Sequence, residues 1–300
     1  MLSPDLIKTW VAQVQSRPQS ISSIMRAYRN YDVNAIQELV AAGPERLSSV
    51  EHTGFTKHES EIIRLVESRD AYMIAPDRLD QNYLDEDLVR GIYSSTASIF
   101  ESVADKHFPP VPRALAQSWL SVSPADRVLE IAVATGANLT AYPRCTEVIG
   151  IDISEESIKL AKTKASSLGP GFRVELMNAE KTNFGDRYFD KVLVLCGLCV
   201  ARNPFRILQE VRRVLKPNGA FVLYEPSLSG IKEVDLLLYL LQPIGRDLGA
   251  VWFDDFPART IPYNTFWDLP EMLKATEFEI EETVFFDAPY NTLRMSKCRA

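Results

Sequence analysis

Between Pro112 and Ala300, short continuous runs of apolar residues alternate with stretches in which apolar positions return every three or four residues. The runs "DRVLEIAV", "EVIGID", "FRVELMNA", "FDKVLVLCGLC" and "AFVLYEP" read as strands. "VPRALAQSWL", "SEESIKLAKTKASS" and "PFRILQEVRRVLK" carry the helical spacing, and a further helix-like stretch is expected after the first strand. Regular alternation of strand and helix predicts an α/β fold, a parallel sheet with helices on both faces. The runs are apolar throughout rather than at every second position, as expected for strands covered on both sides. The alternation lapses over residues 227–266, which read as an insertion after the strand ending at Glu225. Beyond it, "WDLPEMLKATEF" reads as a helix. "FEIEETVFFD" and "NTLRMSKCRA" read as two strands with no helix between them, hence an antiparallel hairpin.

The first 110 residues are patterned as helices. Ser3 suits the N-cap of "SPDLIKTWVAQVQ", and "VNAIQELVAAG" stops at Gly43 before Pro44. "HESEIIRLVESRDAYM" and "LDEDLVRGIYSSTASIFESVADKHF" follow, and "FPPVP" breaks the last. The chain is therefore expected to comprise a helical region over residues 1–110 and an α/β domain over residues 111–300 that carries the 227–266 insertion.

Composition narrows the classes. A net charge of −7 argues against broad nucleic-acid binding, which needs a basic footprint. Four cysteines in 300 residues are too few for a disulfide scaffold. The start, "MLSPDLIKTWVAQVQ", has neither the basic region nor the apolar run of a signal peptide. The longest apolar runs are about ten residues, short of the about 20 that span a bilayer, so no integral membrane segment is expected. A cytoplasmic setting is the expectation.

The chemistry is sought in "VLEIAVATGAN", residues 128–138. An acid, Glu130, is followed by small residues at every second position: Ala132, Ala134 and Gly136. Small residues allow close backbone approach to a ligand, or equally a tight turn between a strand and a helix. "VIGIDIS" places Asp152 at the tip of the second strand, where an acid accepts hydrogen bonds from ribose hydroxyls or N-caps the next helix. "MNAEKTNF" puts a polar residue beside a small one at the end of the third strand, and "RVLKPNGAFVLYE" is a helix, a Pro-Asn-Gly turn and a strand.

In this order and spacing the residues from roughly Tyr93 to Ala300 resemble the class I S-adenosylmethionine-dependent methyltransferases. The resemblance implies a Rossmann-like sheet of seven strands, mostly parallel with an antiparallel last strand, and S-adenosylmethionine as cofactor. A dinucleotide dehydrogenase would share the loop and the acid but would not explain "RVLKPNGAFVLYE" or the final hairpin. By the resemblance, Glu130 anchors the methionine end or the loop, with Ala132, Ala134, Gly136 and Asn138 lining it. Asp152 binds the ribose, and Ile153 packs on the adenine. Asn178, where the family usually has Asp, borders the adenine with Ala179. Cys196, Gly197 and Leu198 line the methyl side. Alanine in place of glycine at 132 and 134 is tolerable at negative φ and strained at positive φ.

The resemblance is closest to phospholipid N-methyltransferases and ubiquinone/menaquinone C-methyltransferases. Many of these carry Tyr-x-x-x-Ala-x-x-Tyr-Asp in the helix before the sheet. Here Tyr93 and Ala97 match, and Phe100 and Glu101 stand in place of Tyr-Asp. Tyr93 either closes over the methionine end or serves as a core aromatic. Glu225 is a candidate base, or a cap or solvated acid. "CGLC" is read first as an apolar wall, with a redox pair as the alternative, and no metal site is expected. The insertion is rich in large apolar side chains (Leu236 to Leu241, Trp252, Phe253 and Phe256) and is expected to cover an apolar acceptor or to form a homodimer interface. The expected partner is a small, partly apolar molecule such as a natural-product, quinone or lipid precursor. The second reading is a protein of this fold that binds the cofactor without methylating, as a regulator or scaffold, or that uses it for other chemistry.

Overall fold

In the computed structural model, residues 86–107, 110–143, 147–230, 268–286 and 293–300 are described. Expectations for residues 1–85 and for the body of the insertion lie outside them. The helices are α1 (Glu86–His107), α2 (Pro110–Leu120), α3 (Glu155–Leu168), α4 (Pro204–Val214) and α5 (Leu269–Ala275). The strands are β1 (Arg127–Ile131), β2 (Glu147–Asp152), β3 (Phe172–Leu176), β4 (Phe189–Leu195), β5 (Leu215–Pro226), β6 (Glu279–Phe285) and β7 (Leu293–Arg299).

The strands form one seven-stranded sheet in the order β3-β2-β1-β4-β5-β7-β6. β1 to β5 are parallel, and β7 runs antiparallel between β5 and β6. The chain therefore reverses its order across the β1–β4 pair, and the carboxyl ends of the parallel strands form a crevice there. Such a switch point is where open α/β sheets bind ligands. Among the described residues, no helix is long and apolar enough to cross a membrane.

The continuous apolar runs are explained by two cores, one on each face. Successive strand residues point to opposite sides. Leu129, Ile131, Ile149, Ile151, Val192 and Val194 pack with α4 and α5 on one face. Val128, Val148, Phe172, Val174, Leu193 and Val222 pack with α2 and α3 on the other. Most strand positions in the centre are thus core positions. Each such side chain contributes roughly 1.5–3 kcal/mol by leaving water, which outweighs the strain of about 1 kcal/mol at an unusual backbone conformation.

Caps set the helices that flank the site. The hydroxyl of Ser154 accepts from the N–H of Ser157 to start α3, and Glu155 and Glu156 favour its positive end. The side chain of Asn203 accepts from the N–H of Arg206 at 3.0 Å to start α4, with Pro204 in the first turn.

Two expectations are corrected. No α-helix follows β1. The chain makes only a three-residue 3-10 turn, Leu139–Ala141. Tyr142 turns inward there and is 4% exposed, and Pro143 has no N–H with which to continue a helix. The Pro217-Asn218-Gly219 turn lies inside β5, because Leu215 already pairs with Phe189 before the register shifts. Asn218 takes up the irregularity at φ 64°.

Gly150 lets the first loop cross β2. A Cβ on it would lie 2.7 Å from Cγ2 of Val133, whose N–H donates to the carbonyl of Ile151. Glycine in a strand ordinarily weakens it relative to alanine. Gly150→Ala is nevertheless expected to destabilise the protein by roughly 1–3 kcal/mol through overpacking. Denaturant midpoints check this, and Gly150→Ala combined with Val133→Ala should lose less than the sum of the two single changes.

Candidate functional site

The site is the carboxyl edge of the sheet, and its first part is the loop after β1. Ala132, Ala134 and Gly136 all have positive φ, at 55°, 47° and 78°. The question left by the alanines is thereby answered: the loop has the backbone a glycine loop would have, and two methyl groups sit on it under strain. Gly136 cannot be replaced in the same way. A Cβ there would lie 2.9 Å from Cδ1 of Leu139 and 3.2 Å from the Cβ of Ala161 on α3.

Asp152 closes this loop onto β2. Its Oδ2 accepts from the N–H of Ala134 at 3.0 Å and its Oδ1 from the N–H of Ser154 at 2.9 Å. The cap of α3 is Ser154, so Asp152 is not the N-cap. Burial raises its carboxyl above the usual range, and the N–H donors pull the other way. Ile153, next in the chain, is half-buried.

Glu130 is 2% exposed and faces the underside of the loop. It accepts from Nδ2 of Asn138 at 2.9 Å and from the hydroxyl of Tyr142 at 2.8 Å. Burial pushes its carboxyl up to about 7 against the pull of those two donors. Of the two roles open to Glu130, this geometry serves the loop. Tyr142 was not singled out from the sequence.

The loop after β4 packs against the first. Cys196 also has a positive φ of 53°. Gly197 must lack a side chain, because a Cβ would lie 2.9 Å from the methyl of Ala132. Glu225, at the end of β5 and 1% exposed, accepts from the N–H groups of Gly197, Leu198 and Cys199 at 2.7, 2.8 and 3.1 Å. Burial raises its carboxyl to about 7 and the three N–H donors oppose it. Both carboxyl oxygens of this candidate base are thus engaged by backbone. The thiol of Cys199 donates to the carbonyl of Cys196 at 3.4 Å. A hydrogen bond with Cys196 and burial hold it well above the ordinary cysteine range, which disfavours the thiolate that redox exchange requires.

The end of β3 lies beside Asp152, whose carbonyl accepts from the N–H of Met177 at 2.9 Å. Asn178 follows, and its side chain meets Glu86 of α1. Ala179, 8% exposed, and Leu198, 2% exposed, have their side chains in the core. Helix α1 runs along the edge. The hydroxyls of Ser94 and Ser154 are 3.3 Å apart, and Tyr93 is within electrostatic reach of Cys199, Cys196, Asp152 and Glu225. Burial raises the Tyr93 phenol well above its usual value, so it keeps its proton at neutral pH. Ala97, on the same helix, is 3% exposed. Glu86 is two helical turns before Tyr93, hence on the same face, a spacing readable in the sequence and overlooked there. The side chains of Phe100, Glu101 and His107, and all of Cys145, lie outside the described residues.

With this geometry in place, likeness to known proteins is informative. A family profile described as a methyltransferase domain matches residues 129–223, from β1 into β5. Phosphatidylethanolamine N-methyltransferase of Cereibacter sphaeroides is 34% identical over 99 residues, 32% of this chain and 49% of its own. The ubiquinone/menaquinone biosynthesis C-methyltransferase of Burkholderia mallei is 32% identical over 148 residues, 46% of this chain and 60% of its own. The chain thus spans about half to three fifths of the length of these curated relatives. A chain from the Haloferax volcanii complex of a methyltransferase activator with a methyltransferase shares the fold, with a TM-score of 0.54 at 16% identity over 71% of this chain and 97% of its own. Residues 129–223 thus match a methyltransferase domain, and the seven-stranded sheet that contains them has the fold of the Haloferax chain.

Proposed function

We propose that this domain binds S-adenosylmethionine at the carboxyl edge of its sheet and directs methyl transfer to a small, partly apolar acceptor. The observation that carries the reading is the tie between Asp152 and the N–H of Ala134, which joins the strained small-residue loop to an acid at the tip of β2. The residues fit the cofactor. The two Asp152 oxygens accept from the N–H groups of Ser154 and Ala134, with that of Ile153 also close, and a carboxylate has further lone pairs, which suits the hydroxyls of a ribose. The backbone of residues 132–136 is open to close approach, since its side chains are two methyl groups and a hydrogen at alternate positions.

When bound, S-adenosylmethionine supplies an electrophilic methyl group on a sulfonium. The chain supplies position. Glu130 holds the loop from beneath through Asn138 and Tyr142. Glu225 holds the 197–199 turn and is a positioning residue in this reading, not a base. Tyr93, protonated, offers a hydrogen-bond donor and a wall near Asp152. Positioning alone removes a large share of the barrier of a displacement reaction. An acceptor in the quinone or lipid class is supported by the names of the two curated relatives and by the apolar composition of the insertion.

Titration calorimetry with S-adenosylhomocysteine tests the site. Asp152→Ala is expected to weaken binding by at least about tenfold, as loss of hydrogen bonds from a charged acceptor does. Unchanged affinity in that variant sinks the assignment. Transfer of a labelled methyl group to a quinone or phospholipid precursor tests the reaction. Tight binding with no transfer to either class leaves a protein that binds the cofactor without methylating those acceptors.

The loop alanines give an independent check. Ala134→Gly relieves a strained φ but frees the unfolded chain, and the two effects nearly offset at roughly 1 kcal/mol each. The variant is expected to keep its melting temperature and to bind S-adenosylhomocysteine at least as tightly as the parent. Ala132→Gly is expected to melt lower, because the methyl of Ala132 packs on the core beside Gly197. Thermal melts of the two variants side by side decide it.

A further inference from the structure

Asn178 and Glu86 form a donor–acceptor pair whose orientation is fixed by its neighbours. Oδ1 of Asn178 accepts from the N–H of Glu180 at 2.8 Å, and Nδ2 donates to Oε2 of Glu86 at 2.9 Å. A backbone N–H can only donate, so the atom facing Glu180 must be the oxygen, and the amide cannot be flipped. The second N–H of Nδ2 is not used by either bond. On the other side, the remaining carboxyl oxygen of Glu86 is paired with Arg90, one turn along α1, and Arg90 also reaches Asp87 at 3.0 Å. The side chain of Glu86 is 29% exposed, so the carboxylate is held but not sealed.

The pair stands in a defined place. Asn178 follows Met177, whose N–H is bound to the carbonyl of Asp152. Glu86 and Asn178 stand at one end of a charged cavity of about 710 Å³ that runs along α4 past Arg206 and Arg213, and Asp152 and the 132–136 loop lie outside its lining. A carboxylate acceptor next to an amide donor, one residue pair away from Asp152, matches the edge of adenine. That edge presents an exocyclic amino donor beside the N1 acceptor. The deaminated base, hypoxanthine, presents the reverse: a carbonyl acceptor beside an N–H donor.

We propose that Glu86, from a helix outside the matched methyltransferase region, reads the adenine of the cofactor together with Asn178. Glu86 accepts from the exocyclic amino group, and the free N–H of Asn178 donates to N1. The inference rests on S-adenosylmethionine occupying the edge as proposed above. It assigns α1 a chemical role at each end of the cofactor: Glu86 at the base and Tyr93 near the Asp152–Glu225 end. It also makes base recognition depend on α1 being docked.

The test compares S-adenosylhomocysteine with its deaminated analogue, S-inosylhomocysteine, by calorimetry on the full chain. The parent protein is expected to prefer the adenosyl compound by about 10- to 100-fold, the range of one or two hydrogen bonds involving a charged group. Glu86→Gln carries both a donor and an acceptor and is expected to bring the two ligands within a few-fold of each other. Glu86→Ala should lose the preference, and Asn178→Asp added to Glu86→Ala should restore it by returning a carboxylate to the edge. The melting temperature of Glu86→Gln separates recognition from a failure of α1 to dock: a lost preference with an unchanged melt supports the inference, and a lost preference that appears only with a lowered melt overturns it. A preference unchanged in Glu86→Gln and Glu86→Ala overturns the inference while leaving the cofactor site intact. Binding of neither compound by the parent protein overturns both. Equal binding of the two compounds by the parent overturns the inference alone.

Discussion

The N–H of Ala134 donates to the carboxylate of Asp152 at 3.0 Å, and the arrangement of the carboxyl edge depends on that bond. It holds the loop after β1 over the tip of β2, where Val133 must pass close above Gly150. The loop could not reach there without three residues at positive φ. Two of these are alanines, so their strain must be offset elsewhere. The buried central strands and the hydrogen bonds of Glu130 to Asn138 and Tyr142 supply that offset. The small residues are therefore matched as a set: the methyl of Ala132 excludes a side chain at 197, Leu139 and Ala161 exclude one at 136, and Val133 excludes one at 150.

Three acids at this edge have been given different work by their surroundings. A buried carboxylate is tolerated only where donors meet it. Glu130 is met by two side chains and Glu225 by three backbone N–H groups, and both are almost wholly shielded from water. Asp152 is met by the N–H groups of Ala134, Ser154 and Ile153 and is partly open. The first two acids are committed to shaping loops. Of the three, only Asp152 combines a fixed position with partial exposure, which the proposed ligand-binding role requires.

Much of this was legible in the sequence because the sheet is covered on both faces. Continuous apolar runs located β1 to β5, and "EVIGID" coincides with β2 as found. The missing helix between the last two strands revealed the antiparallel β7. The position of Asp152 was legible because a strand tip is something that pattern alone defines. Three features were not. The sign of φ at Ala132 and Ala134 depends on how the loop crosses Gly150, a contact between strands rather than a local preference. The expected helix after β1 failed because Tyr142 finds a better partner in buried Glu130 than a helix would give it. The role of Glu225 could not be read because its partners are backbone groups 26 to 28 residues away, which leave no side-chain signature.

The way these acids are spent constrains the chemistry open to the domain. Among the described residues around the loop after β4, the carboxyl of Glu225 is bound by N–H groups, the thiol of Cys199 is held protonated, and the phenol of Tyr93 keeps its proton. Cys199 and Tyr93 stay protonated at neutral pH, and Glu225, although burial raises it to about 7, has both carboxyl oxygens committed to the turn. An acceptor that needs strong activation would find little help from them, whereas one already nucleophilic, an amine or an electron-rich carbon, needs chiefly to be aligned and kept from water. The rigidity of the two interlocked loops suits that task. Ala132 against Gly197, and Glu225 beneath the turn, tie the ends of β1 and β4 together, so in the proposed reading positioning rests on packing between these strands rather than on any single reactive side chain.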